Sequence, residues 1–450
     1  MISRRPRRAT SAALALLAAL LGLAFAPRSA AAAPVNLERP SISGSPVVGK
    51  RLRAAHGDWS GSPTRFAYGW QRCDKSGGSC RRIAGASSSR YRLKWADRGH
   101  TIRVRVKAWK GSASRAARSA PTDPVRAPAL RPLHVSGKRL LDSKGKVVHL
   151  HGVNRSGLEY ACIQGWGIFD GPSSAASVKA IRSWNANIVH LGLNEDCILG
   201  INGVPGAYAG ENYMDAVVAY VNRLHRYGLY AEVSLMWAAP GTQEAQGHPP
   251  ILDADHAGEA LTAIAKAFKG DPRTIIGLQS EPHEIGWNCW RNGGSACSVG
   301  YEALGMQGAL NAVRATEAKN PVAVPGIDWA NNLSGWLDHK PNDPVKQLIA
   351  EVHVYGRNTC STTSCFNSTI APVAAEVPVV FGETGETYDD SSCGSANIST
   401  FMNWADAHGV GYEAWVWNTW GTCGSLIERY DGTPANAYGS WVKQHLKSLR

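Results

Sequence analysis

The sequence lacks the features that mark several common protein classes. Beyond residue 33 no apolar stretch approaches the length of about 20 residues that a membrane span requires, so no transmembrane segment is predicted. No two cysteines have the Cys-x-x-Cys spacing of a zinc site, and no glycine-rich phosphate loop follows the first strand predicted in the larger domain. We accordingly expect no metal, no cofactor and no nucleic-acid partner.

Acidic residues are scarce in the first 130 residues. Residues 1–33 hold five arginines and no Asp or Glu; four of the arginines precede the apolar stretch Ala12–Ala26, and small residues follow up to Ala33, which is typical of a secretory signal peptide. Residues 34–130 hold 20 Lys and Arg against 5 Asp and Glu, whereas the rest of the chain holds 23 against 30. We therefore predict a secreted monomer, extracellular or associated with the cell wall. The basic region suits an anionic wall polymer, although a soluble charged surface explains its composition equally well.

Ten cysteines fit an exported protein, because disulfides persist in oxidising compartments. Their spacing suggests the pairs Cys73–Cys80, Cys162–Cys197, Cys289–Cys297, Cys360–Cys365 and Cys393–Cys423. Three of these pairs are close in sequence, the second would join loops after successive predicted strands, and the last consists of the two cysteines that remain. Spacing alone does not establish the connectivity.

Residues 34–126 are predicted to form a small all-β module. Runs such as Thr101–Ala108 alternate apolar and basic residues, as in a half-solvated antiparallel sheet, and Gly, Ser and Pro clusters separate them. Trp70, close to Cys73, fits the core of a small sandwich. The segment resembles the bacterial immunoglobulin-like modules of secreted proteins in the motifs Pro40–Gly44, Trp59–Gly61, Tyr68–Cys73 and Ala96–His100.

Residues 130–450 alternate strand and helix patterns, which predicts a parallel sheet with crossover helices. The strand candidates are His149–Asn154, Asn187–Leu193, Tyr230–Leu235, Thr274–Gln279, Val322–Gly326, Leu348–His353, Val379–Glu383 and Tyr412–Trp417. Eight strands with crossovers in about 320 residues is the size of a TIM barrel, whose bottom the segment Leu133–Leu150 would close as a hairpin. The predicted fold class is thus α/β, a (β/α)8 TIM barrel preceded by a small all-β immunoglobulin-like sandwich; a doubly wound open sheet is the alternative.

Two glutamates lie where predicted strands end. Glu281 follows the fourth strand in Gln279–His283, and Glu383 ends the seventh in Val379–Gly385. Barrel enzymes carry their catalytic residues at the C-terminal ends of the strands. Cleavage of a glycosidic bond needs two carboxyl groups, one to protonate the leaving oxygen and one to attack or to activate water. Histidine, tyrosine and tryptophan follow other strands, as expected of a cleft in which flat rings stack on sugars.

These residues carry a family resemblance. From Leu130 to Arg450 the chain resembles the cellulase-like glycoside hydrolase family 5 of clan A. The matching motifs are Gly152–Gly157, Leu193–Cys197, Ala238–Gln243, Ser280–His283, His353–Tyr355, Phe381–Glu383 and Trp415–Asn418. The resemblance implies retaining double displacement with Glu281 as acid/base and Glu383 as nucleophile. It also implies that His353 and Tyr355 position Glu383 and that Trp415 forms the floor of a sugar subsite. Further supporting or substrate-binding candidates are Arg155, His190, Asn194, Trp237 and Ser280.

Three positions depart from the family's pattern. His190 stands in place of an arginine on strand two, Met236 in place of a histidine on strand three, and Ser280 in place of an asparagine before the acid/base. Loss of the arginine should raise the pKa of the nucleophile, because a nearby cation favours the ionised carboxylate. A protonated His190 would restore part of that charge, and Arg155 is either a substitute cation or a structural residue.

The sequence therefore predicts a secreted retaining hydrolase of β-linked polysaccharide, of the β-glucan or cellulose type. The alternative is a catalytically weakened or inactive barrel protein that binds carbohydrate at the cell surface. The presence of both glutamates, together with the histidine and aromatic residues of the motifs, favours an active enzyme over an inactive binding protein. Glu195 and Asp196, beside Cys197, could ligate a metal, hold a sugar hydroxyl or form a structural hydrogen-bonding element.

Overall fold

The computed structural model describes residues 32–449. The signal peptide predicted for residues 1–33 therefore falls almost wholly outside the described residues. The chain divides into two compact units. The smaller unit consists of the residues up to Ser45, Arg51–Tyr91 and His100–Asp123. The larger unit consists of Pro46–Lys50, Arg92–Gly99 and the chain from Pro124 onward. Two short segments of the predicted module thus group with the larger unit by their contacts, and the range 34–126 stays a prediction.

The smaller unit contains the predicted β-strands. They are β1 (Ser41–Ser43), β2 (Arg51–Ala55), β3 (Arg65–Cys73), β4 (Arg81–Arg82), β5 (Arg90–Arg92), β6 (Thr101–Lys110) and β7 (Ala113–Arg118). They form two sheets, ordered β1-β2-β5 and β4-β3-β6-β7. Trp70 is fully buried and stacks on Tyr91 with 5.6 Å between ring centroids, as expected of a core tryptophan. On β6, Val104 and Val106 are buried while Arg105 between them is exposed, because successive residues of a strand face opposite sides. The resemblance to immunoglobulin-like modules stays a prediction.

The larger unit begins with a hairpin of β8 (Leu133–Ser136) and β9 (Arg139–Asp142). Leu133 and Leu140 form one apolar cluster with residues at the beginnings of the barrel strands, among them Ile188, Tyr230 and Ile349. The hairpin therefore covers the N-terminal end of the barrel, as the sequence predicts, and leaves the opposite end for the site.

Eight parallel strands close on themselves. They are β10 (His151–Asn154), β11 (Ile188–Asn194), β12 (Tyr230–Trp237), β13 (Thr274–Gly277), β14 (Val322–Pro325), β15 (Leu348–Tyr355), β16 (Val379–Gly385) and β17 (Gly411–Ala414). Each pairs in parallel with the next, and β17 pairs with β10, so the sheet has no open edge. The predicted TIM barrel is confirmed. The main difference is at β17, which ends at Ala414 rather than Trp417; Trp417 then lies in the core against Trp184, whereas Trp415 is partly exposed.

Helices and short turns connect the strands. The helices are α1 (Ala175–Ser183), α2 (Glu195–Leu199), α3 (Glu211–Arg226), α4 (Ala257–Phe268), α5 (Trp287–Asn292), α6 (Gly305–Ala315), α7 (Trp336–His339), α8 (Thr363–Cys365), α9 (Ala371–Ala374), α10 (Ala396–His408) and α11 (Ala437–Ser448), and the strands β18 (Ile427–Arg429) and β19 (Thr433–Pro434) form a last small sheet. On α3 the buried residues Val217, Val221 and Leu224 recur at helical spacing and join the barrel core. Within residues 32–449, no helix combines the length and the apolar character needed to cross a bilayer.

All ten cysteines are paired, and the five pairs are those that the spacing suggests. The bond between Cys162 and Cys197 joins the loop after β10 to α2, which follows β11 directly. Two of the connections at the C-terminal end of the barrel strands are therefore held together covalently.

Candidate active site

Glu281 and Glu383 meet at the C-terminal end of the barrel. Glu281 lies just after β13, and Glu383 lies in β16. One oxygen of each carboxyl group and one ring nitrogen of His353 lie within 4.8 Å of one another. Carboxyl groups about 5 Å apart are characteristic of retaining glycosidases, whereas inverting enzymes leave roughly 6.5–9.5 Å for a water molecule. The spacing suits direct attack by one carboxylate.

Glu383 is held by Tyr355, whose hydroxyl donates a 2.6 Å hydrogen bond to Oε2 of Glu383. The other carboxyl oxygen, Oε1, is buried and has no hydrogen-bond partner among the described residues. Burial raises the pKa of Glu383 to about 8, although the charge of His353 and the Tyr355 hydroxyl act in the opposite direction. The raised pKa agrees with the direction expected from loss of the strand-two arginine.

His353 lies between three carboxyl groups. Its Nδ1 is 2.8 Å from Oε1 of Glu281 and 3.7 Å from Oε2 of Glu383, and its Nε2 is 3.1 Å from Oε1 of Glu351. An ionised carboxylate only accepts hydrogen bonds, so both ring nitrogens donate and the ring is an imidazolium. Burial alone would lower the pKa of His353, but Glu383, Glu281 and Glu351 together hold it well above its ordinary value. A cation therefore lies beside both glutamates.

Glu281 has a different environment from Glu383. Burial would raise its pKa, but the hydrogen bond from His353 and the charge of that ring hold the pKa of Glu281 below its ordinary value. His248 also lies nearby, with its Nε2 3.8 Å from Oε2 of Glu281, but burial lowers the pKa of His248. The two coupled carboxyl groups therefore retain one proton between them near neutral pH, and the raised pKa of Glu383 favours that side of the pair.

His190 does not replace the missing arginine. It is fully buried in β11, where Nε2 is 2.6 Å from Oγ of Ser234 and Nδ1 is 3.3 Å from the carbonyl oxygen of Gly382. Burial lowers the pKa of His190, so this ring is neutral and supplies no charge. The structure thus favours a neutral His190 over the protonated ring considered from the sequence.

Two further candidates for substrate binding instead stabilise loops. The Arg155 guanidinium donates to the carbonyl oxygens of Ser156 and Asp170 and packs 5.2 Å from the Phe169 ring, so it is structural and not a substitute cation. The side-chain amide of Asn194 donates to the carbonyl oxygens of Glu159 and Ala245, and its oxygen caps α2. In both residues the N–H groups that could donate to a sugar already donate to nearby backbone carbonyl oxygens.

Ser280 and Met236 leave the altered part of the site poor in directed donors. The Ser280 hydroxyl is buried and has no hydrogen-bond partner among the described residues. Met236 is also buried and has no N–H or O–H to donate. The structure thus shows no replacement for the two polar side chains that the family's pattern has at these positions.

Aromatic side chains flank the catalytic end of the barrel on two sides. On one side the Tyr160 ring contacts Trp166, Trp237 and Trp420, with centroids 5.6, 6.1 and 5.9 Å away. On the other side a cavity of about 500 Å³ is lined by residues that include Glu281, Asp328, Trp329, Tyr355, Arg357 and Tyr388. Trp166, Trp329, Tyr388 and Trp420 are all exposed. Trp415, the predicted floor of a subsite, follows β17 at this same end and is partly exposed.

Sequence reasoning missed three buried carboxyl groups inside the barrel, those of Glu232, Glu351 and Glu413. Burial, followed by the charge of neighbouring carboxyl groups, raises the pKa values of Glu232 and Glu413 well above the ordinary value, so both are neutral acids. The sequence does contain a signal for one of them, because side chains alternate between the two faces of a strand. Glu351 and His353 are two residues apart on β15 and therefore face the same side. A search confined to strand ends does not find these residues.

The family model described as cellulase, glycosyl hydrolase family 5, matches residues 141–421 of the chain. A manganese-dependent endoglucanase, Eg5A of Phanerodontia chrysosporium, is 27% identical over 176 residues, which are 34% of this chain and 42% of the relative. Endoglucanase 1 of Saitozyma flava is 25% identical over 180 residues, 38% of this chain and 49% of the relative. The chain spans less than half the length of the curated relatives it matches.

Solved structures match the fold. The catalytic domain of Thermobifida fusca endoglucanase Cel5A, in complex with cellotetraose, has a TM-score of 0.51 at 18% identity and covers 70% of this chain and 97% of its own. A β-glucanase of Saccharophagus degradans in complex with cellotetraose has a TM-score of 0.54 at 15% identity and covers 73% of this chain and 97% of its own. At such low identity these likenesses concern the barrel architecture.

Proposed function

The chain belongs to the cellulase family, glycosyl hydrolase family 5, and from this membership we propose that it hydrolyses a β-linked glucan by a retaining double displacement. The observation that carries the proposal is the close approach of Glu281 and Glu383, whose oxygens lie within 4.8 Å of each other and of His353. The names of the relatives, which are endoglucanases, favour internal cleavage of a polysaccharide.

In the first step Glu281 gives its proton to the glycosidic oxygen while the Glu383 carboxylate attacks the anomeric carbon. The bond from that carbon to the leaving oxygen breaks, and an ester between the sugar and Glu383 forms. In the second step Glu281, now ionised, takes a proton from water as the water oxygen attacks the same carbon. The ester bond breaks, and two inversions at one carbon give overall retention.

The reaction needs the shared proton on Glu281 rather than on Glu383, whose raised pKa favours the opposite arrangement. Both arrangements have the same total charge, and the carboxyl oxygens lie within 4.8 Å of each other. Binding of a sugar whose glycosidic oxygen accepts a hydrogen bond from Glu281 favours the productive arrangement. The double displacement therefore requires one proton to move from Glu383 to Glu281, while the total number of protons on the pair stays the same.

His353 supplies the positive charge of the site. The imidazolium contacts Glu281 and lies 3.7 Å from Glu383, so it stabilises whichever of the two is ionised. Glu351 accepts from the far side of the ring at 3.1 Å and thereby helps to retain the second proton. Tyr355 donates to Glu383 and orients its carboxylate for attack.

An extended glucan chain fits the aromatic groups on the two sides of the catalytic pair. Indole and phenol rings stack on the apolar faces of glucose units, and a cavity of about 500 Å³ beside Glu281 is large enough for sugar residues. Trp415 would contact the sugar whose bond is cleaved. The missing polar side chains at Met236 and Ser280 alter the contacts of that sugar's hydroxyl groups.

We further propose that the protein is exported and acts as a monomer, since five disulfides suit an oxidising compartment. The all-β segment, residues 34–126, would then form a separate module in front of a catalytic domain spanning residues 130–450. Its basic surface would hold the enzyme near an anionic wall polymer.

The test is a panel of β-linked polysaccharides with detection of new reducing ends. Wild type should release them from at least one glucan, and NMR should show that the first product has the β-configuration. Glu281→Gln should lower the rate about 10²–10⁴-fold, because it removes the general acid, and Glu383→Gln at least as much. Glu284→Gln is the matched control, because Glu284 lies three residues from Glu281 and is exposed.

Two results would contradict the proposal. An α-configured first product would mean single displacement through water. Binding of glucans without release of reducing ends would instead support the non-catalytic carbohydrate-binding alternative.

A further inference from the structure

Three side chains able to bind a metal meet at a second place, away from the catalytic pair. They are Glu195 of α2, with Asp253 and His256 from the segment that precedes α4. One ligand atom from each of the three lies within 4.8 Å of the others. Glu195 and Asp253 are 0% and 1% exposed, so these carboxyl groups are separated from solvent.

Each of the three residues has a polar atom with no hydrogen-bond partner among the described residues. Oε1 of Glu195 accepts from the Ala239 N–H, and Oδ1 of Asp253 accepts from the N–H groups of His256 and Ala257. The other oxygen of each carboxyl group and Nδ1 of His256 are buried and have no hydrogen-bond partner among the described residues, and Nδ1 of His256 lies 3.9 Å from Oδ2 of Asp255. Buried carboxylate oxygens in this state are costly unless a proton or a cation satisfies them.

The surroundings add negative charge. Asp196 is adjacent in sequence to Glu195, and Asp255 lies between Asp253 and His256. None of the ion pairs found among residues 32–449 joins a lysine or an arginine to Glu195 or Asp253. A bound cation would therefore supply a positive charge that no described lysine or arginine supplies to these two carboxyl groups.

We propose that Glu195, Asp253 and His256 bind one divalent cation. We call this place the Glu195 site, and Mn²⁺ suits the donors of the site. Carboxylate oxygens are preferred by Mg²⁺, Ca²⁺ and Mn²⁺, whereas an imidazole nitrogen is better suited to transition metals. Mn²⁺ accepts both kinds of donor. This proposal replaces the expectation of no metal and gives Glu195, which the sequence left with three interpretations, the role of a ligand.

The position of the site gives the cation a structural role. The loop that joins β12 to α4 begins beside Glu195, through the bond from Ala239, and ends at Asp253 and His256. Between these two points the loop carries His248, whose Nε2 is 3.8 Å from Glu281. A cation at the Glu195 site would hold both ends of the loop and so keep His248 beside Glu281; this last consequence rests on the function proposed above.

The test measures Mn²⁺ binding to the full chain after treatment with a chelator. The loss of the electron paramagnetic resonance signal of free Mn²⁺ reports binding, and calorimetry gives the stoichiometry. Wild type should bind a single equivalent. Glu195→Gln and Asp253→Asn should each bind at least about tenfold more weakly, because even the loss of a residue that only orients a ligand costs about 10–100-fold.

Two control variants distinguish binding at the Glu195 site from effects of other carboxyl groups. Asp196→Asn should weaken binding much less than Glu195→Gln, because both oxygens of Asp196 already accept hydrogen bonds, from Asn202 and from the Ala245 N–H, and are not available as ligands. Glu383→Gln should keep the wild-type affinity, although the same variant loses hydrolysis under the proposed function. Failure of the two proposals is thereby distinguishable.

Circular dichroism of each variant checks folding. Asp253 also holds the first turn of α4; if Asp253→Asn does not fold, Glu195→Gln decides, because its amide oxygen can still accept from Ala239. Absence of saturable Mn²⁺ binding by wild type would overturn the proposal and would leave a proton shared between Glu195 and Asp253. Unchanged affinity in Glu195→Gln, or loss of affinity in Glu383→Gln, would also overturn it.

Discussion

His353 is the residue on which the charge of the catalytic centre depends. Its two nitrogens face Glu281 and Glu351, and it lies 3.7 Å from Glu383. His190 has the same ring but faces a serine hydroxyl and a backbone carbonyl oxygen. Burial favours the neutral form of both rings, and only carboxylates at contact distance reverse that preference. Two buried histidines in one barrel are therefore in different charge states.

The pH dependence of hydrolysis follows from the single proton on the pair. Above the pKa of about 8 of Glu383 the pair loses this proton, so no general acid remains. As the pH falls through the lowered pKa of Glu281 the pair gains a second proton, so no nucleophile remains. We expect a bell-shaped profile of kcat/KM with an alkaline limb near pH 8 and an acid limb below the ordinary glutamate value.

Tyr355→Phe tests the source of the alkaline limb. The Tyr355 hydroxyl lowers the pKa of Glu383, so its removal should move the alkaline limb to higher pH. The rate should also fall about 10–100-fold, because a hydrogen bond to a charged group contributes roughly 1.5–3 kcal/mol. Tyr388→Phe is the control for the position of the alkaline limb alone, since the ring of Tyr388 is exposed, meets Tyr355 edge-on and, within the part of the chain that the structure describes, makes no hydrogen bond to Glu383. An unchanged alkaline limb in Tyr355→Phe would assign that limb to another group.

At the scale of secondary structure elements, the hairpin of β8 and β9 is the clearest separate stabilising element. Leu140 is 5% exposed and belongs to the apolar cluster at the N-terminal end of the barrel. This end lies opposite the carboxyl ends of the strands, so the hairpin contributes to stability and not to the chemistry.

Leu140→Ala should lower the free energy of unfolding by about 2–5 kcal/mol, because it removes buried methyl groups and leaves a cavity. Denaturant unfolding followed by tryptophan fluorescence measures the change. Hydrolysis by the folded protein should stay at the wild-type level. Leu37→Ala is the control, since Leu37 is 69% exposed, and should change stability by less than about 0.5 kcal/mol. Equal stability of the two variants would show that the hairpin does not stabilise the barrel.

At the scale of the whole molecule, charge is segregated between the regions. The basic surface of the smaller unit includes Arg39, Arg103, Arg105 and Arg118, which line one concave surface. Arg105 lies directly opposite Arg118 across β6 and β7. Like charges in this arrangement are destabilising, and a bound polyanion would offset that cost.

Binding to an anionic polymer should depend on these arginines. The full-length double variant Arg105→Gln/Arg118→Gln should elute from a polyphosphate resin at lower salt than wild type, because fewer counterions are displaced. The control removes the same charge from the larger unit, as Lys138→Gln/Lys144→Gln, at two exposed positions. Similar elution of both double variants would mean that net charge alone governs retention.

Several features of the protein could be read from the chain alone. Short apolar runs identified all eight barrel strands, because a strand buried on both faces is apolar throughout. The same runs placed Glu281 and Glu383 at strand ends, and hence at one end of any parallel barrel. Cysteine spacing suggested three of the five disulfides directly, since residues five to eight apart are near each other in any compact chain. The pair Cys162–Cys197 followed from the predicted order of the strands, and Cys393–Cys423 was the pair that remained.

The charge states and partners of buried side chains required the tertiary structure. Alternation predicts the face on which His190, Glu351 or Trp417 lies, but not the atoms it meets there, because those atoms come from strands far away in sequence. A pKa depends on these atoms and on burial. This is why His353 rather than His190 is the cation, why Arg155 and Asn194 support loops, and why Glu195 meets Asp253 and His256. Local patterns set the elements and their order, whereas contacts between distant segments decided the chemistry.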